Sequence, residues 1–595
     1  MRKIFSLLKS AYKLYGNYRY QILVLVILGF VSGLFEGIGV STLVPLFSYI
    51  TDQGLQEGSI FSRVILGFFS FVHLEFRLRT LLLLMVILFI LKACIEYLFE
   101  YLRARIVADY EFKKRSKLYE QSLRADWSYL LRQKIGYIEN VLMTDVAASV
   151  QLLTICTSSI LHVTSLIMYV LVALTLSKNL ALLALGVGFV IVVVFKPLLS
   201  RIRFYSQQQS QYNKDVSHQI NEGIIGLKTF KSSAVERSVM RNVATLFERL
   251  RGIHVKQTLV KTATNVTIQP ISVIFIGAVF SISFLKPGFD LPTFIAVTYM
   301  IQRIFIYVDK VQGALQIMNQ RIPHAHHVLS FQDAVHKHRE IDIGRKPFVF
   351  EKELSLDNIT FAYENNEKSV FSDLSFSVRH GETVGIIGPS GVGKTTIADM
   401  LLRLFKPSKG TISLDGVLAQ DITLDEWRTN IVYVSQDIFL KNDTIKNNIR
   451  FFDESITQGQ IEESARMAQI HDFIETLPEK FETIVGDRGI MLSAGQRQRV
   501  VLARALARKP KILILDEATS ALDNESEEGI RKAIESLHGE MTTIIIAHRL
   551  ATVRDCDRLI VISEGVIKEQ GSPEELLGRK GSYFERLYSM QQYGR

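Results

Sequence analysis

The sequence predicts two fold classes joined in one chain: an all-α transmembrane domain of six long helices, then an α/β P-loop domain. Three observations carry that expectation. Apolar residues make up 48% of the 595, and mean hydropathy is +0.20, high for a soluble protein. They are unevenly spread: long apolar runs continue to about Ile322, after which apolar and charged residues mix as in a globular domain. Finally, "GPSGVGKTT" sits between an apolar run and a helical pattern, the layout of a phosphate-binding loop. The length itself predicts several domains.

The first twenty residues place Ile4, Leu7, Leu8, Ala11, Tyr12 and Tyr15 at helical spacing, with Lys3, Lys9 and Lys13 between them. That pattern predicts a helix lying on the membrane surface over 1–20. The stretch lacks the short basic region and small-residue cleavage site of a secretion signal.

A helix needs about 20 mostly apolar residues to cross the hydrocarbon core. Six such crossings are expected: Gln21 to Ile50, Leu81 to Arg103, Val150 to Leu176, one from about Leu180 past Pro197, Val266 to Leu285, and Leu291 to Gln312 and beyond. "SKN" and "KPGFD" read as tight outer turns. The long charged segments Arg103 to Ala148 and Arg201 to Val260 read as helices extended into the cytoplasm. They carry Lys113, Lys114, Arg115, Lys117, Arg201 and Arg203, as the positive-inside rule requires. "RADWSYLLRQKIG" and "NEGIIGLKTFKSS" are expected as short turns at the tips. The apolar stretch Gly58 to Leu74 is too short to span and is expected as an outer interfacial helix.

Charged residues inside crossings need a partner or a purpose. Lys92 and Glu96, four apart, are expected to pair. Glu36, mid-span in "GLFEGIG", and Arg303 in the sixth crossing stand equally as helix-packing groups and as substrate-binding groups. A guanidinium facing a cavity would suit a phosphate-bearing substrate. The net charge of +10 is assigned to the membrane-flanking basic residues, with no nucleic acid as partner, because no basic stripe is interleaved with aromatics. The three cysteines, Cys94, Cys156 and Cys556, lack metal-ligand spacing.

In the second half, Gly388, Gly391 and Gly393 let backbone N–H groups curl around phosphate oxygens, with Ser390 in the same loop. The following helix offers its positive end. Lys394 supplies a cation for the outer phosphates, Thr395 a hydroxyl for Mg2+, and Thr396 follows. In "KILILDEATSALD", Ile512 to Leu515 predict a buried parallel strand. Asp516 at its end is placed to hold Mg2+, and Glu517 to orient or deprotonate an attacking water.

"LSAGQ", from Leu492 to Gln496, is the most specific motif. With the glycine loop it makes the chain resemble an ABC transporter over essentially its whole length: an exporter-type half-transporter with an N-terminal membrane domain, similar to lipid and lipid-linked oligosaccharide flippases. The resemblance implies an exporter-type membrane fold, an α/β P-loop NTPase domain with a helical subdomain, ATP and Mg2+ as cofactors, and ATP hydrolysis coupled to transport. It also implies roles for individual residues. Gln436 in "YVSQD" would sense Mg2+, His548 in "IIIAHRL" would contact the γ-phosphate, Asp523 in "SALD" would cross to the partner, and Tyr363 in "ITFAYEN" would stack on adenine. Ser493, Gly495 and Gln496 would cap the nucleotide held by the loop of a second copy, so that a homodimer completes two sites. Ala494 replaces the family's usual glycine.

The organisation expected is 1–20 interfacial helix, 21–325 membrane domain, 326–350 linker and 351–595 nucleotide-binding domain. The expected function is translocation of an amphipathic lipid, in its finer form a lipid-linked oligosaccharide, across the inner (plasma) membrane with the ATPase in the cytoplasm. A multidrug or lipid A-type exporter is the alternative, and a nucleotide-gated channel or regulator the alternative from another class.

Overall fold

The computed structural model describes residues 15–42, 46, 77–133, 135–176, 178–284, 291–363, 368–517, 524–547, 550–579 and 581–586. The chain divides into two compact units, Met1–Ala125 with Tyr129–Arg339, and Glu340–Arg595 with Asp126–Ser128.

Among the described residues, the first unit contains six long helices: α1 (Arg19–Ser41), α2 (Leu78–Leu123), α3 (Val146–Leu176), α4 (Lys178–Ile225), α5 (Glu236–Phe284) and α6 (Leu291–Lys337). Among the described residues, three helical spans are long and apolar enough to cross a membrane, Gly16–Val40, Leu78–Leu123 and Gly136–Thr175. The crossing expected over 21–50 is helical to Ser41, and most of its remainder lies outside the described residues, as do 1–14 of the expected surface helix and all of 58–74. Tyr15 is buried, its hydroxyl donating to the Ser149 carbonyl at 2.9 Å. The tips expected as turns hold short helices, Trp127–Leu131 and Leu227–Ser232. The sixth helix runs to Lys337, so the first part of the expected 326–350 linker is helical.

Close packing of α1 on α3 rests on a glycine stripe that periodicity alone does not flag. A β-carbon at Gly29 would lie 2.8 Å from Thr164 Oγ1, at Gly33 3.0 Å from Met168 Cγ, and at Gly37 3.2 Å from Val172 Cγ2. Small residues four apart let two helix backbones approach inside a bilayer, where the hydrophobic effect does not drive helices together. Gly33→Leu is therefore expected to destabilise the protein by about 1–3 kcal/mol, read as a lowered thermal midpoint in detergent. Gly252→Ala on α5, whose added methyl meets nothing within 4 Å, should leave that midpoint unchanged or raise it.

Beyond the apolar spans the helices are fastened by polar groups. A π-helical segment, Val141–Asp145, leads into α3. There the fully buried Asp145 meets His324 Nδ1 of α6 at 2.6 Å. Lys114 Nζ of α2 donates to Gln332 Oε1 of α6 at 2.5 Å, and Ser206 Oγ of α4 to the Gln320 carbonyl at 2.8 Å. These bonds hold the charged extensions as a packed bundle.

The second unit has two sheets. Strands β1 (Glu353–Phe361), β2 (Phe371–Arg379), β3 (Thr383–Ile387), β4 (Lys409–Leu414), β5 (Val417–Leu418), β6 (Ile431–Val434), β7 (Ile512–Asp516), β8 (Thr542–Ile546), β9 (Arg558–Ser563) and β10 (Val566–Gly571) form an antiparallel sheet β2-β1-β4-β5 and a six-stranded sheet β10-β9-β3-β8-β7-β6. In the larger sheet β9, β3, β8, β7 and β6 run parallel, with β10 antiparallel at the edge. Strands β3, β7 and β8 are buried at every residue, which explains their unbroken apolar runs. Helix α7 (Lys394–Leu401) follows β3. A helical segment between β6 and β7 includes α8 (Gln458–Met467) and α9 (Ala494–Ala507), whose apolar faces share one core. The carboxyl ends of β3 and β7, flanking β8, are where ligands gather in such sheets.

Candidate nucleotide site

The glycine loop leaves β3 at Gly388, where a β-carbon would stand 2.2 Å from the Ile562 carbonyl oxygen. It closes at Gly393, whose φ of +100° caps α7 in a conformation that favours glycine. Helix α7 therefore starts at Lys394 with its N–H groups turned to the loop. Lys394 is buried, and its Nζ donates to the carbonyls of Gly388 (2.9 Å) and Pro389 (3.1 Å). Burial pushes its ammonium below the ordinary lysine range, opposed by the nearby Glu517 and Asp516. Lys394 is thus held against the loop without a buried carboxylate bonded to it directly, ready to exchange carbonyls for phosphate oxygens. Thr396 is also buried, and its Oγ1 lies 2.7 Å from the Tyr363 hydroxyl. The Tyr363 ring stands edge-on to Phe361 and Phe405 and remains 38% exposed, which leaves an aromatic face beside the loop.

Asp516 ends β7 and is 1% exposed. It accepts from the Tyr433 hydroxyl of β6 at 3.0 Å, while its Oδ1 is buried with no hydrogen-bond partner of good geometry. Burial pushes this carboxyl above the ordinary carboxylate range. The Thr395 and Tyr433 hydroxyls and Lys394 oppose that, and Glu517 adds to it. A buried oxygen with an unused lone pair, beside the Thr395 hydroxyl, fits a hard cation, and Mg2+ characteristically takes one or two protein ligands plus phosphate oxygens. Glu517 follows with φ of +49° and its N–H bonded to the Ile546 carbonyl at 2.9 Å. The left-handed backbone costs about 1–3 kcal/mol for a residue with a side chain, and it points to a position held for chemistry. Gln436 Nε2 donates to Glu517 Oε2 at 2.7 Å, so two residues assigned from separate motifs meet directly.

Ser493 caps α9. Its Oγ accepts from the Gln496 N–H at 3.2 Å, and Gln496 Oε1 accepts from the Ser493 N–H at 2.8 Å. This reciprocal box fixes the helix start. Ser493 is exposed and Gly495 buried. Among the described residues, Ser493 and Gln496 bond to each other and neither is hydrogen-bonded to the glycine loop of its own chain. His548 and Asp523 lie outside the described residues.

In the membrane unit, Glu36 is 2% exposed and sits among partners from three helices. Lys92 Nζ of α2 is 2.9 Å from its Oε1, Tyr169 of α3 donates to Oε1 at 2.7 Å, and Tyr307 of α6 to Oε2 at 3.3 Å. Lys92 was expected to pair with Glu96. That contact exists at 3.5 Å, but the nearer carboxylate is Glu36. Arg303 donates from Nε (2.8 Å) and Nη2 (2.6 Å) to the Tyr299 hydroxyl one turn away.

Sequence reasoning missed Tyr433, the hydroxyl that steadies Asp516, although it lies in the same "YVSQD" motif as Gln436. It also missed Asp399 on α7, whose carboxyl is pushed up to about 6, first by burial and then by Asp516. The Asp516 charge is the second cause of that rise, which gives a pH prediction: Asp516→Asn should bring the Asp399 carboxyl back toward the ordinary carboxylate range, followed by a carboxyl-resolved NMR titration, and an unmoved Asp399 would leave burial as the sole cause.

Long apolar helices joined to a parallel-sheet phosphate site define a membrane protein coupled to a P-loop nucleotide-binding domain. The chain matches the family model described as ABC transporter transmembrane region over residues 22–304, and the ABC transporter model over 371–520. It belongs to the ABC transporter family. It is similar to the ATP-dependent lipid A-core flippase of Alkalilimnicola ehrlichii, 32% identical over 82% of this chain and 83% of that one. The protein of the same name from Chromobacterium violaceum is 34% identical over 70% and 72%. A putative multidrug export ATP-binding/permease protein of Staphylococcus aureus is 29% identical over 96% and 98%. A solved bacterial Atm1-family ABC exporter with ATP bound shares the fold, with a TM-score of 0.78 at 23% identity over 96% of this chain and 98% of that chain.

Proposed function

We propose that two copies of this chain clasp two ATP molecules between them and use their hydrolysis to move an amphipathic lipid across the plasma membrane. The observation that carries the hydrolytic part is the Gln436–Glu517 hydrogen bond, 2.7 Å long, beside buried Asp516 and Lys394. Gly388, Ser390, Gly391, Gly393, Lys394 and Thr396 bind the phosphates, and Tyr363 takes the adenine. Glu517, oriented by Gln436, draws the proton from the attacking water, and the family resemblance gives His548 the role of contacting the γ-phosphate. Thr395, Asp516 and Gln436 would hold Mg2+, which neutralises charge on the phosphates when bound.

The dimeric part follows from the free signature turn. Ser493 and Gln496 bond to each other and leave Ser493 exposed, while α9 presents a positive helix end. A facing copy of the glycine loop would supply the phosphate that this turn suits, and ATP would shift the population toward the closed pair.

The basic run Lys113, Lys114, Arg115 and Lys117 on the α2 extension supports a cytoplasmic position for the ATPase. The relatives named as lipid A-core flippases support a lipid substrate. Export of apolar drugs is a second reading, supported by the S. aureus relatives, which align over nearly the whole chain. Reconstitution in phospholipid vesicles separates them: lipid A-core or a lipid-linked oligosaccharide should stimulate ATP turnover, each tested in its own arm. Stimulation by hydrophobic drugs alone would favour the second reading.

A further inference from the structure

The chain entering the ATPase unit is held along that unit's surface from its first residue, and the groups that hold it also cap the helix that follows the glycine loop. Glu340 makes a bidentate pair with Arg428, Oε2 accepting from Nη1 at 2.9 Å and Oε1 from Nη2 at 2.5 Å. Asp342 accepts from the Leu424 N–H at 2.9 Å and the Gly344 N–H at 3.1 Å, and stands 3.7 Å from Arg403 Nη2. A β-carbon on Gly344 would lie 2.0 Å from the Ile422 carbonyl oxygen. Lys346 N–H bonds the Asp421 carbonyl at 2.9 Å, and the Lys346 carbonyl accepts from Thr423 at 3.2 Å. A stretch expected as a tether is therefore zipped to its unit.

Arg428 and its neighbour Trp427 also face the end of α7, and Arg403 lies just past it. The last carbonyls of a helix have no partner within it and favour cationic donors. Here Trp427 Nε1 donates to the Leu401 carbonyl at 2.7 Å, Arg428 Nε to Leu402 at 3.2 Å, and Arg428 Nη2 to Arg403 at 3.2 Å. Trp427 is fully buried. The opposite end of α7 carries Lys394, Thr395 and Thr396. One short rigid rod thus has the phosphate site at its start and the Glu340–Arg428 pair at its end. Just upstream, within the membrane unit, Arg339 forms a β-bridge with Ala125, and His338 stacks on Tyr129 at 4.8 Å.

We propose that Glu340, Asp342, Arg403 and Arg428 are positioning residues that pass movement of α7 on phosphate binding to the chain arriving from α6. Bidentate Arg–carboxylate pairs fix orientation as well as distance, so a shift of α7 displaces Glu340 rather than sliding past it. The inference needs only ATP-driven export, and stands apart from the substrate and from the dimeric reading.

The test is the full-length Glu340→Gln/Asp342→Asn variant in lipid nanodiscs, with Mg-ATP and vanadate as the probe. Both side chains are partly exposed, so the fold is expected to survive, and Glu340→Gln alone provides a milder second variant. The readouts are KM and kcat for ATP, and hydrogen exchange across residues 322–337 with and without the probe. Wild type should gain protection there when the probe binds. In the variants KM should stay within about twofold, while the nucleotide-dependent gain falls by half or more. A purely structural role would raise exchange equally in both states. A retained gain, no gain in wild type, or a joint loss of ATP binding would each overturn the proposal.

Discussion

Glu517→Gln should reduce ATP turnover by about 100- to 10,000-fold, the range that a positioned general base contributes, while leaving ATP binding within a few-fold of wild type. The substitution is nearly isosteric, so the left-handed backbone and the contact with Gln436 can persist. What is lost is the carboxylate that accepts the proton. Binding should survive because the groups proposed to grip the phosphates, the glycine loop and Lys394, lie at the end of a different strand. Steady-state hydrolysis and fluorescent-nucleotide binding measured on one preparation would check both halves. Turnover within threefold of wild type would assign the base to another residue.

The second large effect belongs to the membrane unit. Glu36→Ala should cost about 3–5 kcal/mol, because removing one member of a buried pair leaves the other uncompensated. Lys92 is 15% exposed and would keep only Glu96 at 3.5 Å, and the Tyr169 and Tyr307 hydroxyls would lose their acceptor. The double variant Glu36→Ala/Lys92→Met should recover much of that loss, since no charge is then stranded. Thermal midpoints of both variants in detergent test this. A destabilised single variant whose double fares no better would mean that the tyrosines, rather than the ion pair, carry the energy. The network supports helix packing as the role of Glu36. Arg303 is instead bonded within its own helix, through the Tyr299 hydroxyl.

The parts of this protein legible in its sequence are those where local chemistry dictates geometry. The glycine loop, the ILIL run of β7 and the acidic pair at its end all impose their own backbone, and each lies on the element expected. The second crossing continues unbroken from Leu78 to Leu123 because its charged stretch is also helix-permissive. Less legible was anything decided by partners distant in sequence. Spacing alone pairs Lys92 with Glu96, one turn away on the same helix; only the packing of α1 on α2 brings Glu36 nearer. The glycine stripe of α1 was present in the letters, but hydropathy weighs glycine as neutral and so misses its close approach. Residues 340–348 read as a tether because their partners, Arg403, Asp421, Leu424, Glu426 and Arg428, lie some 60 or more positions away, which no periodicity reveals.

The shared clasp on ATP is tested most directly by complementation. A chain carrying Lys394→Ala cannot grip phosphate, and a chain carrying Ser493→Arg cannot cap a neighbour's phosphate, so each alone should be inactive. Mixed one to one and assembled together, half of the pairs hold one intact loop facing one intact signature turn, and turnover should return to about a quarter of wild type. If the mixture hydrolyses ATP no faster than the two variants do separately, each chain works with its own turn and the two-copy site is wrong.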